Sequence, residues 1–250
     1  MEQTLNTRTT KFGLEINFSK SIESSKIQDV TESVYLEAWR SALSMGFSEI
    51  IRIWNYIPEI NRFTEGIENY QHFCAGRKNA YNRLNIDQNS FPAASAVGSQ
   101  GSSIQFRFLF GKTKPMPISN RLQIEAYDYP NEYGPTSPSF ARAAVIDSMF
   151  FLSGTASIRG HKTMFLGDLD GQIKCTIENI DEVINKAQQT LKKPILKNQM
   201  SWRVYMRDPA IETKIKSDLE EKLGKSIEFV SAEICRSDLL IEIEGAYYGL

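Results

Sequence analysis

Apolar and polar positions along the chain switch between a helical and a strand period, and the switches outline an α+β fold. "DVTESVYLEAWRSALSMG" carries Val34, Ala38, Trp39 and Leu43 at helical spacing. Asp29 with Glu32 reads as its capping box and Gly46 as its stop. "EIIRIWNYIP" is an apolar run of strand length, and "ENYQHFCAGRKNAYNRL" a second helix. "SSIQFRFLF" alternates as a strand. Past the turn-rich "GKTKPMPISN", a further strand in "RLQIEAYDY" leads into the loop "PNEYGPTSPSF".

The second half repeats this plan. A hairpin in "ARAAVIDSMFFLSG" precedes a helix striped by Ile173, Ile177, Ile180 and Ile184. The strand "SWRVYMR" precedes a helix capped by Asp208, with Pro209 at its first position and Gly224 past its end. "SIEFVSAEI" and "LLIEIEGAYY" close the chain as strands. "RIWNYIPEI" from Arg52 and "RVYMRDPAI" from Arg203 share an Arg, an aromatic, a Pro and an Ile at identical spacing. Matching element order and a shared string predict two copies of one unit, over residues 1–120 and 121–250, the first lacking its opening hairpin. In the last strand, Ile241 and Ile243 share one face and Glu242 and Glu244 the other. Alternation alone reads the acids as the solvent face of a half-buried strand.

Composition adds mainly exclusions. With 250 residues, 41% apolar and 24% charged, the chain is long enough for a real core and ordinary for a globular protein. A net charge of -1 without a Lys/Arg cluster argues against nucleic acid. Three widely spaced cysteines and two histidines form neither a disulfide framework nor a metal-ligand spacing. The polar start "MEQTLNTRTTKFG" lacks a signal peptide's apolar core, and no run has the length of a membrane helix. The chain is expected in a reducing cytoplasm.

"FARAAVIDSMFFLSGTASI", "GDLDGQIKCTIENIDEVI" and the closing "EIEG" resemble the YjgF/RidA fold over about residues 138–247. RidA-type deaminases carry an Arg fifteen positions before the terminal Glu; here that position is Ile227, which disfavours imine deamination. "RIWNYIPEIN", "ENYQHFCAGRKNAY", "AYDYPNEYGPTSPSFARA", "FFLSGTASIRGHKT" and "ICRSDLLIEIEG" together resemble the chorismatases, chorismate-hydrolysing enzymes built from YjgF-like units, whose members extend further at the N-terminus. Where that family has "PRQ", this chain reads Arg121, Leu122, Gln123.

The resemblance implies two tandem YjgF/RidA-like units, the first incomplete. It implies chorismate as substrate, no metal or organic cofactor, no nucleic-acid or membrane partner, and a monomer or a YjgF-like homo-oligomer such as a trimer. It matches Glu242 to the family's catalytic Glu. Cys235 resembles the residue of the branch that makes 3-hydroxybenzoate; the alternatives are a hydrolase forming 3,4-dihydroxycyclohexa-1,5-diene carboxylate, and a binding protein without turnover.

Cleaving the enolpyruvyl ether needs a proton at its methylene carbon, hence an acid still protonated near neutral pH, which a desolvated Glu becomes. A dianionic substrate asks for fork-shaped donors, and Arg142 lies in the most specific motif. Tyr127 and Tyr133 flank a proline-stiffened loop and offer hydroxyls and ring walls. Gly154 and Ala156 are small enough to let backbone approach a ligand. His161 reads as a turn residue. Seven extended residues span about 23 Å, so Cys235 and Glu242 can share a ligand only if the chain turns at "CRSD".

Overall fold

A computed structural model describes residues 4–250 as two large mixed sheets lying face to face, each backed on its outer side by two helices, with two short two-stranded ribbons besides. The first unit runs β1 (Thr4–Thr10), β2 (Gly13–Ser21), α1 (Ile27–Ser44), β3 (Glu49–Pro58), α2 (Asn69–Leu84), β4 (Ala93–Ser99) and β5 (Ser103–Gly111). The second runs β6 (Met116–Ile118), β7 (Ala143–Ile146), β8 (Met149–Thr155), α3 (Leu169–Leu191), β9 (Ser201–Met206), α4 (Glu212–Leu223), β10 (Ile227–Ser231) and β11 (Ile241–Tyr247). Strand orders are β1-β2-β5-β3-β4 and β6-β7-β8-β11-β9-β10. Apart from the extra edge strand β6 the two orders are the same, as duplication requires. Arg52 and Arg203 stand on equivalent strands: β3 and β9 each lie between an antiparallel neighbour and a parallel one.

Each helix pair covers the apolar face of its sheet. Leu14, Ile16, Phe18, Phe106, Phe108 and Phe110 meet Val34, Tyr35 and Phe73 in the first unit, and the α3 isoleucines meet Leu152, Val204 and Ile243 in the second. Between the sheets, Ile51, Leu109, Ala144, Ile146, Met149 and Phe151 form a smaller apolar core. The sheets change over between Gly111 and Met116, because Met116–Ile118 pairs with β7.

Three expectations are corrected. The first unit has its opening hairpin, with Thr10 paired to Gly13 across the turn; what it lacks is the edge strand. "RLQIEAYDY" is not a strand, since only Gln123 makes a bridge and residues 126–128 form a 3-10 turn. Helix α1 begins at Ile27 after Lys26, so Asp29 sits within its first turn and no capping box forms. Asp208 does cap, accepting from the Ala210 amide at 2.9 Å, over a 3-10 turn that leads into α4. No helix among the described residues is long and apolar enough to cross a membrane.

Candidate active site

Strand β11 is sandwiched between β8 and β9, and its alternation is buried on both sides. Ile241 and Ile243 enter the helix-backed core. Glu242 and Glu244 face the first sheet and are only 4% and 5% exposed. The acid face is an inter-sheet surface, which overturns the solvent reading.

The two acids are treated differently. Glu244 accepts hydrogen bonds from Arg52 Nη2 at 2.7 Å, Trp54 Nε1 at 2.8 Å and the Ser95 hydroxyl, with Arg203 Nη1 at 3.4 Å. Glu242 receives no such bond from the described residues. Its Oε1 lies over Gly154, where a Cβ would stand 2.0 Å away; any side chain there would evict the carboxyl. The β8–β11 register slips between Leu152 and Thr155, and that irregularity re-aims the strand beside the acid. Burial first, and the Glu244 charge second, raise Glu242 to about 8 against the opposing pull of Arg52. Glu242 therefore carries its proton at neutral pH.

The chain turns between β10 and β11, as two residues on one ligand demand. Arg207 holds the turn, donating from Nε to the Leu239 carbonyl at 2.8 Å and from Nη2 to those of Ile234 (3.2 Å) and Arg236 (2.9 Å). Gln172 bonds the Asp238 carbonyl at 2.9 Å and the Leu240 amide at 2.8 Å. This fold-back sets Cys235 beside Ala156, Ile158, Ile234 and Leu239. Burial, then the Glu242 charge, push the thiol well above its ordinary value. Cys235 is thereby held as a neutral thiol.

The proline-rich loop supplies the wall. Arg142 is buried, its Nη2 donating to the Ile124 carbonyl at 2.5 Å and to the Tyr129 hydroxyl at 3.2 Å. Arg236 stacks 3.9 Å from the Tyr133 ring centroid, and His161 Nδ1 meets the Tyr133 hydroxyl at 3.2 Å. Tyr127 packs edge-on against Phe91 at the first unit's core. From α2, Arg77 also approaches this wall: the guanidinium carbons of Arg77 and Arg142 lie 6.0 and 5.4 Å from the Phe140 ring centroid. Arg77 is 1% exposed, and its Nε and Nη2 have no hydrogen-bond partner. The groups acting on it are Tyr35, Cys74, Tyr81 and Tyr70, each held above its ordinary value and so uncharged at neutral pH. A buried cation among neutral neighbours is costly and suits an anionic ligand.

A family model described as "Chorismatase FkbO/Hyg5-like, N-terminal" matches residues 6–110. A 3-hydroxybenzoate synthase of Streptomyces hygroscopicus is 35% identical over 233 residues, covering 87% of this chain and 68% of the relative. The chain belongs to the chorismatase family. A chorismatase of the same organism is 31% identical, with 89% and 68% covered. A chorismatase crystal structure superposes with a TM-score of 0.85 at 28% identity, covering 96% of this chain and 78% of the other.

In this chorismatase, Glu242, Cys235, Gly154 and Ala156 converge on one inter-unit region, with Arg142 and Tyr133 on its loop wall and Tyr127 behind it. Arg121, in the altered "RLQ", points away, 81% exposed and paired with Glu182. Sequence reasoning missed Arg77, Ser95 and the clamp on Glu244. Arg77 had a legible signal: it stands four residues from both Phe73 and Tyr81 on the buried stripe of α2. Ser95 had none, being one of several small residues in "AASAVGS".

Proposed function

We propose that this chorismatase converts chorismate to pyruvate and 3-hydroxybenzoate, with Glu242 as the proton donor. The observation that supports it most is a buried, donor-free carboxyl over Gly154 that keeps its proton near neutral pH. Glu242 protonates the enolpyruvyl methylene and becomes a carboxylate, while the ether carbon turns oxocarbenium-like. The neighbouring ring hydroxyl displaces the pyruvyl oxygen and returns its proton to Glu242. The electron pair of the broken C–O bond ends in the pyruvate carbonyl. Shift of the bridging oxygen's bond, with loss of one ring hydrogen as a proton and gain of one proton at oxygen, leaves the phenol. No water is consumed. Arg142 and Arg77, both beside Phe140, suit the two carboxylates of the substrate. The neutral Cys235 thiol, set in an apolar cluster, disfavours an ordered water that would divert the reaction to the dihydrodiol. One chain supplies both sides of the site, and its three free cysteines suit the cytoplasm.

The test is incubation with chorismate followed by chromatography of the products. Native protein should release equal amounts of pyruvate and 3-hydroxybenzoate, and Glu242→Gln should lose roughly 100- to 10,000-fold in turnover while still binding substrate. Pyruvate release by the variant at the native rate would sink the assignment.

A further inference from the structure

Glu242 and Glu244 are two residues apart on one face of β11, about 7 Å at Cα, and both are almost wholly buried. Two neighbouring carboxyls in such a place rarely ionise together, so the surroundings must decide which one holds a proton. The partners are distributed one-sidedly. Arg52 Nη2 bonds both Ser95 Oγ, at 2.5 Å, and Glu244 Oε2, at 2.7 Å, and Trp54 takes the other Glu244 oxygen. All three come from the first unit. Ser95 Oγ also stands 3.1 Å from the point where a Gly154 Cβ would be, the same point that lies 2.0 Å from Glu242 Oε1. The serine is thus beside both acids, yet its bond goes to Glu244.

The remaining groups facing Glu242 are uncharged. Tyr205, its register partner on β9, is a buried phenol with no hydrogen-bond partner for its hydroxyl, and burial holds it well above its ordinary value. Cys235, from the turn, is a neutral thiol. On β8 it lies over Gly154, which brings no charge. The charges acting on Glu242 are therefore those of Glu244 and Arg52, and Arg52 is engaged by Glu244.

We propose that Glu244 is a positioning residue that keeps Glu242 loaded with its proton. Clamped as a carboxylate by Arg52, Trp54 and Ser95, it withholds the arginine from Glu242 and places a second negative charge beside it. The clamp couples the units: the second unit contributes both acids, and the first unit determines which is the acid catalyst. This inference rests on Glu242 being the proton donor.

The experiment reads Glu242 directly. In protein carrying 13C-labelled glutamate carboxyls, the Glu242 resonance, assigned with Glu242→Gln, is titrated by NMR in native protein, Glu244→Gln and Glu244→Asp. Glu244→Gln keeps shape and an acceptor but removes the charge. The native midpoint near pH 8 should fall by at least one pH unit in Glu244→Gln and stay near its place in Glu244→Asp. The alkaline limb of pyruvate release should move down with it, so that the variant loses far more turnover at pH 8 than at pH 6. An unmoved or rising midpoint in Glu244→Gln overturns the proposal, as does an equal loss of turnover at every pH. Should Glu244→Gln not fold, the native protein alone decides: Glu244 must be ionised throughout the range where Glu242 titrates, and a Glu244 protonated at pH 6–8 overturns the proposal. The titration needs no turnover. Its failure is thus separate from that of the proton-donor reading, which full activity of Glu242→Gln would reveal.

Discussion

Arg52 and Arg203 occupy matching positions on matching strands, yet they live in different worlds. Arg52 has a side chain 1% exposed, bonded to Ser95 and Glu244 from opposite sheets. Arg203 is 25% exposed, pairs with the half-open Glu228 and reaches Glu244 only at 3.4 Å. Their register partners diverge as well. β5 sets Leu109 against Arg52 and Arg107 against Trp54, where β11 sets Glu244 against Arg203 and Glu242 against Tyr205. Duplication copied a scaffold, and side chains at equivalent positions then divided the labour. The second unit carries the acids, and the first carries the cation and donors that hold Glu244 most closely. Fold similarity between the units therefore says nothing about which one does chemistry.

Removing each arginine should separate the two environments most widely. Arg52→Met leaves the Glu244 charge buried with its main partner gone and should cost about 3 kcal/mol or more in denaturant unfolding. Arg203→Met removes a partly solvated pair and should cost less than about 1 kcal/mol. Equal costs would mean that the two arginines are structurally interchangeable.

The next effect is a dependence of stability on pH. Glu242 is raised in the folded protein to about 8, so the native state keeps a proton that the unfolded chain releases near pH 4. No cost exists below that lower value; it grows as pH rises and is complete above about pH 8. Each tenfold change in proton affinity is worth about 1.4 kcal/mol. The stability of Glu242→Gln relative to native should therefore climb by on the order of 3–5 kcal/mol between pH 4 and pH 9, followed by thermal unfolding. A pH-independent difference would show that Glu242 ionises as an ordinary carboxyl.

The smallest effect concerns products. Cys235→Gln puts an amide able to hold water into the cluster with Ala156, Ile234 and Leu239. The product ratio should shift from 3-hydroxybenzoate toward the dihydrodiol, measured by chromatography under identical conditions. An unchanged ratio would make Cys235 a packing residue alone.

Much of the element order was legible, because helices such as α3 and strands such as β3 carry strong periods. The hairpin of β1 and β2 is harder to read although Leu14, Ile16 and Phe18 alternate, since the polar "TLNTRTT" beside them is an edge strand with little to bury. "RLQIEAYDY" misled for the opposite reason. Its alternation is real, but the segment crosses between the sheet edge and the loop wall and finds no strand to pair with.

For the site, the chain's own order determined that an acid, a bare Gly154 and a small thiol would be available, and a turn at Cys235 followed from reach alone. Whether the acid face of β11 meets water was beyond it. A period of two says that two faces differ, and only the packing of one sheet on another says what covers each. The state of Glu242 was equally a tertiary matter. Its proton depends on burial, on Glu244 two residues away and on Arg52, which is 190 residues distant in the chain and brought alongside by the pairing of two sheets.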